Sequence, residues 1–217
     1  MEITGQLVRS SAAVECSHPV RVAIDGISGA SKSTLSEHLT PIIERFGRPV
    51  IRASVDDFHR PRAERYDRGV LSPEGYYFDT FDYSSLRELL LLPLGPGGNR
   101  RYVRAVFDAR GDRPLDPLTE EAAPAAVLII DGVFFLRPEL NDLWDYRVLV
   151  ACDPVEAARR GVIRDRAWMA STEEVEQRYR LRYTPGERLY LDEVRPHELA
   201  DAVLENTDPA RPSLSFQ

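Results

Sequence analysis

Residues 20–34 read Val20-Arg21-Val22-Ala23-Ile24-Asp25-Gly26-Ile27-Ser28-Gly29-Ala30-Ser31-Lys32-Ser33-Thr34. A short apolar run stops at Asp-Gly, a glycine-rich turn follows, and Lys-Ser-Thr opens a segment with helical spacing. Strand, turn and helix in that order bring backbone N–H groups and a helix N-terminus to one point, a preformed site for phosphate. Lys32 is the single lysine among 28 lysines and arginines in 217 residues. It stands where such a loop needs a compact ammonium on a flexible stem rather than a planar guanidinium. A lone lysine could fall anywhere. This one falls directly before Ser-Thr and after a glycine-rich turn, which predicts nucleotide phosphate binding.

Gly26, Ser28, Gly29, Ala30, Ser31, Lys32, Ser33 and Thr34 are the expected nucleotide contacts. Lys32 is placed for the β- and γ-phosphates and Thr34 for the α-phosphate, with the Ser33 hydroxyl for Mg²⁺. The loop departs from Gly-x4-Gly-Lys-[Ser/Thr] once, because its second glycine is Ser31. If that position takes a positive φ, a Cβ there costs roughly 1 kcal/mol or more.

Working outward, residues 33–46 repeat Leu35, Leu39, Ile42, Ile43 and Phe46 at helical spacing, and Gly47 closes the helix. Residues 49–54, 126–130, 146–151 and 200–204 read as further strands, and 101–107 alternates well enough for another. Helices are predicted over 84–92, 154–165 and much of 166–195. Residues 59–80 are rich in Arg, Asp, Pro, Gly and Tyr and predict a long functional loop. The expected organisation is an N-terminal extension over 1–19, one domain over 20–207 with a lid near 160–185, and a loosely ordered tail over 208–217. Strands alternating with helices imply an α/β protein with a parallel sheet covered on both faces. Ligands then gather at the carboxyl ends of its strands.

A hydrophobic content of 43% with 29% charged residues is ordinary for a soluble globular protein. The net charge of −7 argues against a nucleic-acid partner. Two cysteines make no disulfide framework, and no apolar run reaches membrane-spanning length. No basic leader precedes an apolar core. A cytoplasmic protein with a small-molecule partner is expected, and self-association is left open.

Asp56 and Asp57 follow the second strand, where a carboxylate can take a proton from an attacking hydroxyl. A helix N-cap or a solvated loop acid is the competing reading. Asp131 ends an apolar strand in the manner of an acid that serves Mg²⁺. Arg159, Arg160, Arg164 and Arg166 cluster on or after one helix, with Arg178, Arg180 and Arg182 downstream. Such arginines stabilise a transferring phosphoryl group or simply solvate a helix face. Residues 75–82, with Tyr77 and Asp79, form an aromatic candidate for the acceptor pocket, and His59 lies beside Asp56.

The segments Asp25-Gly26-Ile27-Ser28-Gly29-Ala30-Ser31-Lys32-Ser33, Ser54-Val55-Asp56-Asp57-Phe58-His59 and Arg160-Gly161-Val162-Ile163-Arg164-Asp165 carry a resemblance. So do residues 127–133 and Ala200-Asp201-Ala202-Val203-Leu204. Together they resemble the uridine kinase family of P-loop nucleoside kinases from about residue 21 to 206. The resemblance implies five parallel strands with helices on both faces, a helical lid, and transfer from ATP with Mg²⁺ to the 5′-hydroxyl of uridine or cytidine. It implies Asp56 as catalytic base, Asp79 on the ribose hydroxyls, Asp131 near the metal and Arg164 in the lid. Tyr77 and Phe107 join His59 as expected acceptor contacts. Besides Ser31, His59 stands where uridine-phosphorylating members usually have Tyr, and Arg166-Ala167-Trp168-Met169 replaces an Arg-Gly-Arg. Related folds phosphorylate nicotinamide riboside, pantothenate, ribulose phosphate or glycerate. A nucleotide binder with turnover impaired by Ser31 is the remaining alternative.

Overall fold

Five apolar runs pair in parallel: β1 (Val20–Asp25), β2 (Val50–Ser54), β3 (Val127–Asp131), β4 (Tyr146–Ala151) and β5 (Ala202–Glu205). A sixth strand, β6 (Ser213–Phe216), joins antiparallel to β5, and the order is β6-β5-β4-β1-β3-β2. The computed structural model describes residues 2–12, 14, 16–167 and 171–217. The tail expected to be loosely ordered thus supplies β6. Its Leu214 is half-buried against the core that contains Val22, Ile24 and Val148, and its backbone satisfies the open edge of β5. An alternation of only four residues was too short to register as a strand.

Successive residues of a strand point to opposite faces, so the sheet has two cores. On one face Val22, Ile24, Ile129 and Val148 meet Leu35, Leu39 and Ile43 of α2 (Lys32–Arg45). Leu7 and Val8 of α1 (Glu2–Ala12) complete this layer, so the N-terminal segment is part of the core. On the other face Ala23, Leu128, Ile130 and Leu149 meet Phe58, Tyr76, Leu86, Leu90 and Phe135.

The region over 59–80, expected to be a loop, contains α3 (Pro73–Asp79) with Tyr76 and Tyr77 buried. Ser72 caps it by accepting from Gly75 N at 2.9 Å, and Pro73 follows the cap. Seven residues with Tyr in place of Leu or Ile gave no visible helical stripe. The strand expected over 101–107 reduces to Arg101–Tyr102 and Phe107–Asp108, each in a separate two-stranded ribbon. Between them the chain turns, and Val103 N and Val106 N donate to Leu89 O and Asp57 O. The 84–92 helix is a wide π-type turn over Leu86–Leu91. The C-terminal helices are α4 (Pro154–Asp165), α5 (Thr172–Arg178) and α6 (Thr184–Val194), with a π-type turn at Tyr179–Tyr183 joining the last two. Trp168 and Met169 of the expected lid lie outside the described residues. Among the described residues no helix is long and apolar enough to cross a membrane.

Arg21, inside the fully buried β1, is 3% exposed. Its backbone N, Nε and Nη2 donate to Asp145 at 2.8, 2.9 and 3.0 Å, which pins β1 to the start of β4. Breaking a buried pair from one side leaves an uncompensated charge. Asp145→Asn is therefore expected to destabilise the protein by about 3 kcal/mol in urea denaturation. A loss under about 1 kcal/mol would mean that the guanidinium is solvated or finds another acceptor.

Candidate active site

In the parallel register both Ile24 and Ser54 sit opposite Asp131, so the segments leaving β1, β2 and β3 emerge side by side. The turn after β1 has Gly26 at φ 149°, Gly29 at φ 85° and Ser31 at φ 75°. A Cβ on Gly29 would collide with the carbonyl of Ala157 in α4, so this turn rests directly on helix backbone. Ser31, at ψ 34°, is left-handed and is the N-cap of α2, without a side-chain cap bond. The position where the motif expects glycine does take a positive φ here, and serine holds it under strain.

The loop is anchored from far along the chain. Asn206 Nδ2 donates to Ala30 O at 2.9 Å, and Lys32 Nζ donates to Ile27 O at 2.8 Å. Ser28 N donates to Glu187 Oε1 at 2.7 Å, and Ser28 Oγ lies 3.1 Å from the Tyr76 hydroxyl. Glu187 thus engages a loop N–H from far along the chain. Burial lowers the pKa of Lys32, opposed by Glu187, Asp25 and Asp131. Ser33 Oγ donates to Asp131 Oδ2 at 2.7 Å, and Arg52 Nη2 lies 3.4 Å from Asp131 Oδ1. A hydroxyl and a carboxylate at a phosphate loop form the all-oxygen donor set that suits Mg²⁺. Thr34 is exposed in the first turn of α2.

The loop opens into a cleft of about 1230 Å³ that brings together Ser28, Lys32, Ser33, Asp56, His59, Phe107, Asp131 and Arg164. Asp56 has an exposed side chain, whereas Asp57 beside it is half-buried. Burial, then the charge of Asp56, pushes the Asp57 carboxyl up. His59 Nδ1 donates to Asp56 O at 2.8 Å, and its ring lies edge-on to Phe81 at 4.8 Å. Burial lowers the His59 pKa, with Asp56 opposing, which favours neutral imidazole. Arg164 donates to Asp165 at 2.7 and 3.2 Å, and Tyr179 donates to the same carboxylate at 2.9 Å. A Cβ on Gly161 would strike the Tyr179 hydroxyl, so that glycine is what lets the phenol reach Asp165.

Tyr77 and Asp79, expected in the acceptor pocket, do not line the cleft. Tyr77 is 1% exposed, with its ring 5.1 Å from Phe134, and Asp79 is held by Arg68 Nε at 2.7 Å. Because the segment is helical, neighbouring residues point about 100° apart, and Tyr76 faces the cleft instead. Glu187, Asp165, Arg65 and Tyr66 were not among the expected site residues. Only folding brings Glu187 to Ser28, and no local pattern marks it.

Replacing Ser31 by glycine removes the left-handed strain. Ser31→Gly should raise stability by about 1 kcal/mol in urea denaturation, and no gain would mean that the loop relaxes around serine without cost. Glu187 is 4% exposed, and burial pushes its pKa up to about 7, against the Ser28 N–H and Lys32. The folded protein therefore binds this proton more tightly than the unfolded chain. Its contribution to stability is full below pH about 4.5 and declines until pH about 7. Glu187→Gln should match the natural protein at low pH and exceed it by on the order of 2 kcal/mol at pH 8. A stability difference independent of pH would contradict the assigned cause.

No family model matches the chain. It is 30% identical over 147 residues to a uridine kinase from Chlamydia pneumoniae, covering 66% of this chain and 63% of that one. It is 27% identical over 141 residues to a uridine kinase from Leuconostoc citreum (strain KM20), covering 62% and 63%. The chain thus spans 63% of the length of each of these relatives. Its fold is similar to that of a possible uridine kinase from Bacillus stearothermophilus, with a TM-score of 0.73 at 23% identity over 94% of this chain and 99% of that one. The chain is thus similar in sequence to uridine kinases over 62–66% of its length, and it shares the fold of that solved structure.

Proposed function

We propose that the protein transfers the γ-phosphoryl group of ATP to a hydroxyl of a small acceptor held in the cleft. One observation carries the reading: Lys32, Ser33, Asp131, Asp56 and Arg164 share a single cleft. A protein that only bound nucleotide would have no use for a carboxylate such as Asp56 beside the loop. The loop N–H groups and Lys32 hold the phosphates. Ser33 and Asp131 hold Mg²⁺, which when bound supplies positive charge to the phosphate oxygens. Asp56 orients the acceptor hydroxyl and takes its proton as that oxygen bonds to the γ-phosphorus, while the bond to the departing ADP oxygen breaks. Arg164, held by Asp165, adds positive charge at the transfer.

Uridine or cytidine, through the 5′-hydroxyl, leads the list of acceptors because the relatives from Chlamydia pneumoniae and Leuconostoc citreum are uridine kinases. A different small metabolite is the second reading, favoured by Tyr77 and Asp79 lying outside the cleft. A nucleotide binder of low turnover is the third, favoured by the strain at Ser31. A cytoplasmic location accords with the use of ATP.

The test is ADP release from ATP·Mg²⁺ over a panel of nucleosides and small hydroxyl compounds, with Lys32→Ala as the blank. Acceptor-dependent ADP above that blank is expected. On the same panel Asp56→Asn should lower kcat by about 10³-fold with ATP affinity nearly unchanged. A large loss of ATP binding instead would assign Asp56 to the nucleotide, and unchanged turnover would remove it as base.

A further inference from the structure

The wall of the cleft formed by residues 62–66, α5 and the turn after α5 carries guanidinium groups beyond those the transfer uses: Arg62, Arg65, Arg178 and Arg182. Arg182 is 2% exposed. It donates to Ser72 O at 3.0 Å, Arg65 O at 3.3 Å and Thr80 Oγ1 at 3.2 Å, all neutral acceptors. Its guanidinium lies over the rings of Tyr66 and Tyr76, at 5.0 and 5.6 Å from their centroids. Among the described residues no carboxylate forms an ion pair with it, although a buried guanidinium ordinarily has one. Arg178 spends Nη2 on Glu174 at 3.0 Å and Nη1 on the Tyr66 hydroxyl at 3.2 Å. Its Nε is buried with no acceptor among the described residues.

Three acids near these guanidinium groups are already engaged. Glu174 is bound to Arg178, Asp112 lies 3.5 Å from Arg65, and Asp108 is held by Arg113 and by the N–H groups of Arg110 and Gly111. Seven lysine or arginine side chains and six carboxylates line the cleft, so its cations exceed its acids by one. Tyr66 registers the excess: burial alone would raise its phenol pKa, but the hydrogen bond and charge of Arg178, with Arg65, bring it down. Arg65 and Arg182 line the same cleft as His59 and Asp56. The arginine whose charge bears on Lys32 is Arg164, whereas those bearing on His59, which is bonded to Asp56, are Arg65 and Arg182.

We propose that the acceptor is itself an anion, a small hydroxy compound carrying a carboxylate or phosphate ester that Arg178 and Arg182 receive, with Arg62 at their side. The planar fork of a guanidinium matches either oxyanion, and the charge that arrives is the one the wall lacks. A neutral nucleoside would leave Arg182 without a counter-charge. The proposal rests on the reading of the cleft as the acceptor site of a phosphotransferase, and it takes the second acceptor reading, a small metabolite other than a neutral nucleoside.

Direct binding separates the two claims. Calorimetric titrations with ADP·Mg²⁺ already bound would compare neutral probes (glycerol, ribose, uridine) with anionic counterparts (glycerate, glycerol 3-phosphate, ribose 5-phosphate). At least one anionic probe should bind tenfold or more tightly than its neutral counterpart, and glycerate against glycerol 3-phosphate tells carboxylate from phosphate. Arg178→Gln should abolish the preference without weakening ADP, and Arg178→Lys should restore part of it. If the anions bind and none supports ADP release from ATP, the anion site stands and the transfer reading fails. If uridine binds as well as or better than every anion, or none of the anions binds, the proposal is overturned. It is equally overturned if Arg178→Gln raises KM for ATP while leaving acceptor preference intact.

Discussion

Parallel pairing of β1 with β3, and of β3 with β2, is the constraint on which the site depends. Parallel strands end on the same edge, and the observed register sets Ile24 and Ser54 level with Asp131. The glycine-rich loop, the Asp56–Asp57 pair and Asp131 are therefore neighbours although they lie far apart in the chain. A slip of one residue would reverse which side chains face each core, so the apolar alternation of Val22, Ala23 and Ile24 against Leu128, Ile129 and Ile130 guards the register.

The second layer of organisation is polar and buried. Asp25, at the end of β1, is 0% exposed, and burial raises its pKa despite bonds from Tyr190 and from Phe135 N. The Tyr190 hydroxyl also accepts from Leu136 N at 3.2 Å. One carboxylate thus ties the start of the loop to the segment after β3 and to α6. Glu187 and Asn206 do the same for the inside of the loop. Groups this deeply desolvated are costly unless paired, and their pairing makes the loop's shape depend on helices near the C-terminus.

Lys32 and Ser33 could be read because a phosphate loop is a local object: its turn residues, anion donors and cation lie within nine positions. The helix through Leu35, Leu39 and Ile43 and the strands around it followed from periodicity, since each buries a face of its own. The seven residues of α3 carried too little pattern, and reading them as loop put Tyr77 and Asp79 at the acceptor when Tyr76 is the residue that faces the cleft. The tail strand was hidden for a related reason, because β6 is stabilised by the edge of β5 more than by its own four residues.

The amino-acid sequence by itself determined the strand–loop–helix phosphate site, the α/β alternation and the placement of acids just after apolar strands. Each of these is decided by residues close together in the chain, through backbone conformation and local burial. Tertiary structure alone decided that Glu187 reaches Ser28, that Asp165 and Tyr179 hold Arg164, and that Arg178 and Arg182 share a wall with His59. Charge balance in a cleft is a sum over groups from many segments in a partly desolvated space. Formal charges counted along the chain total −7. The same residues, once folded, leave Arg182 buried in the cleft wall with no carboxylate partner among the described residues.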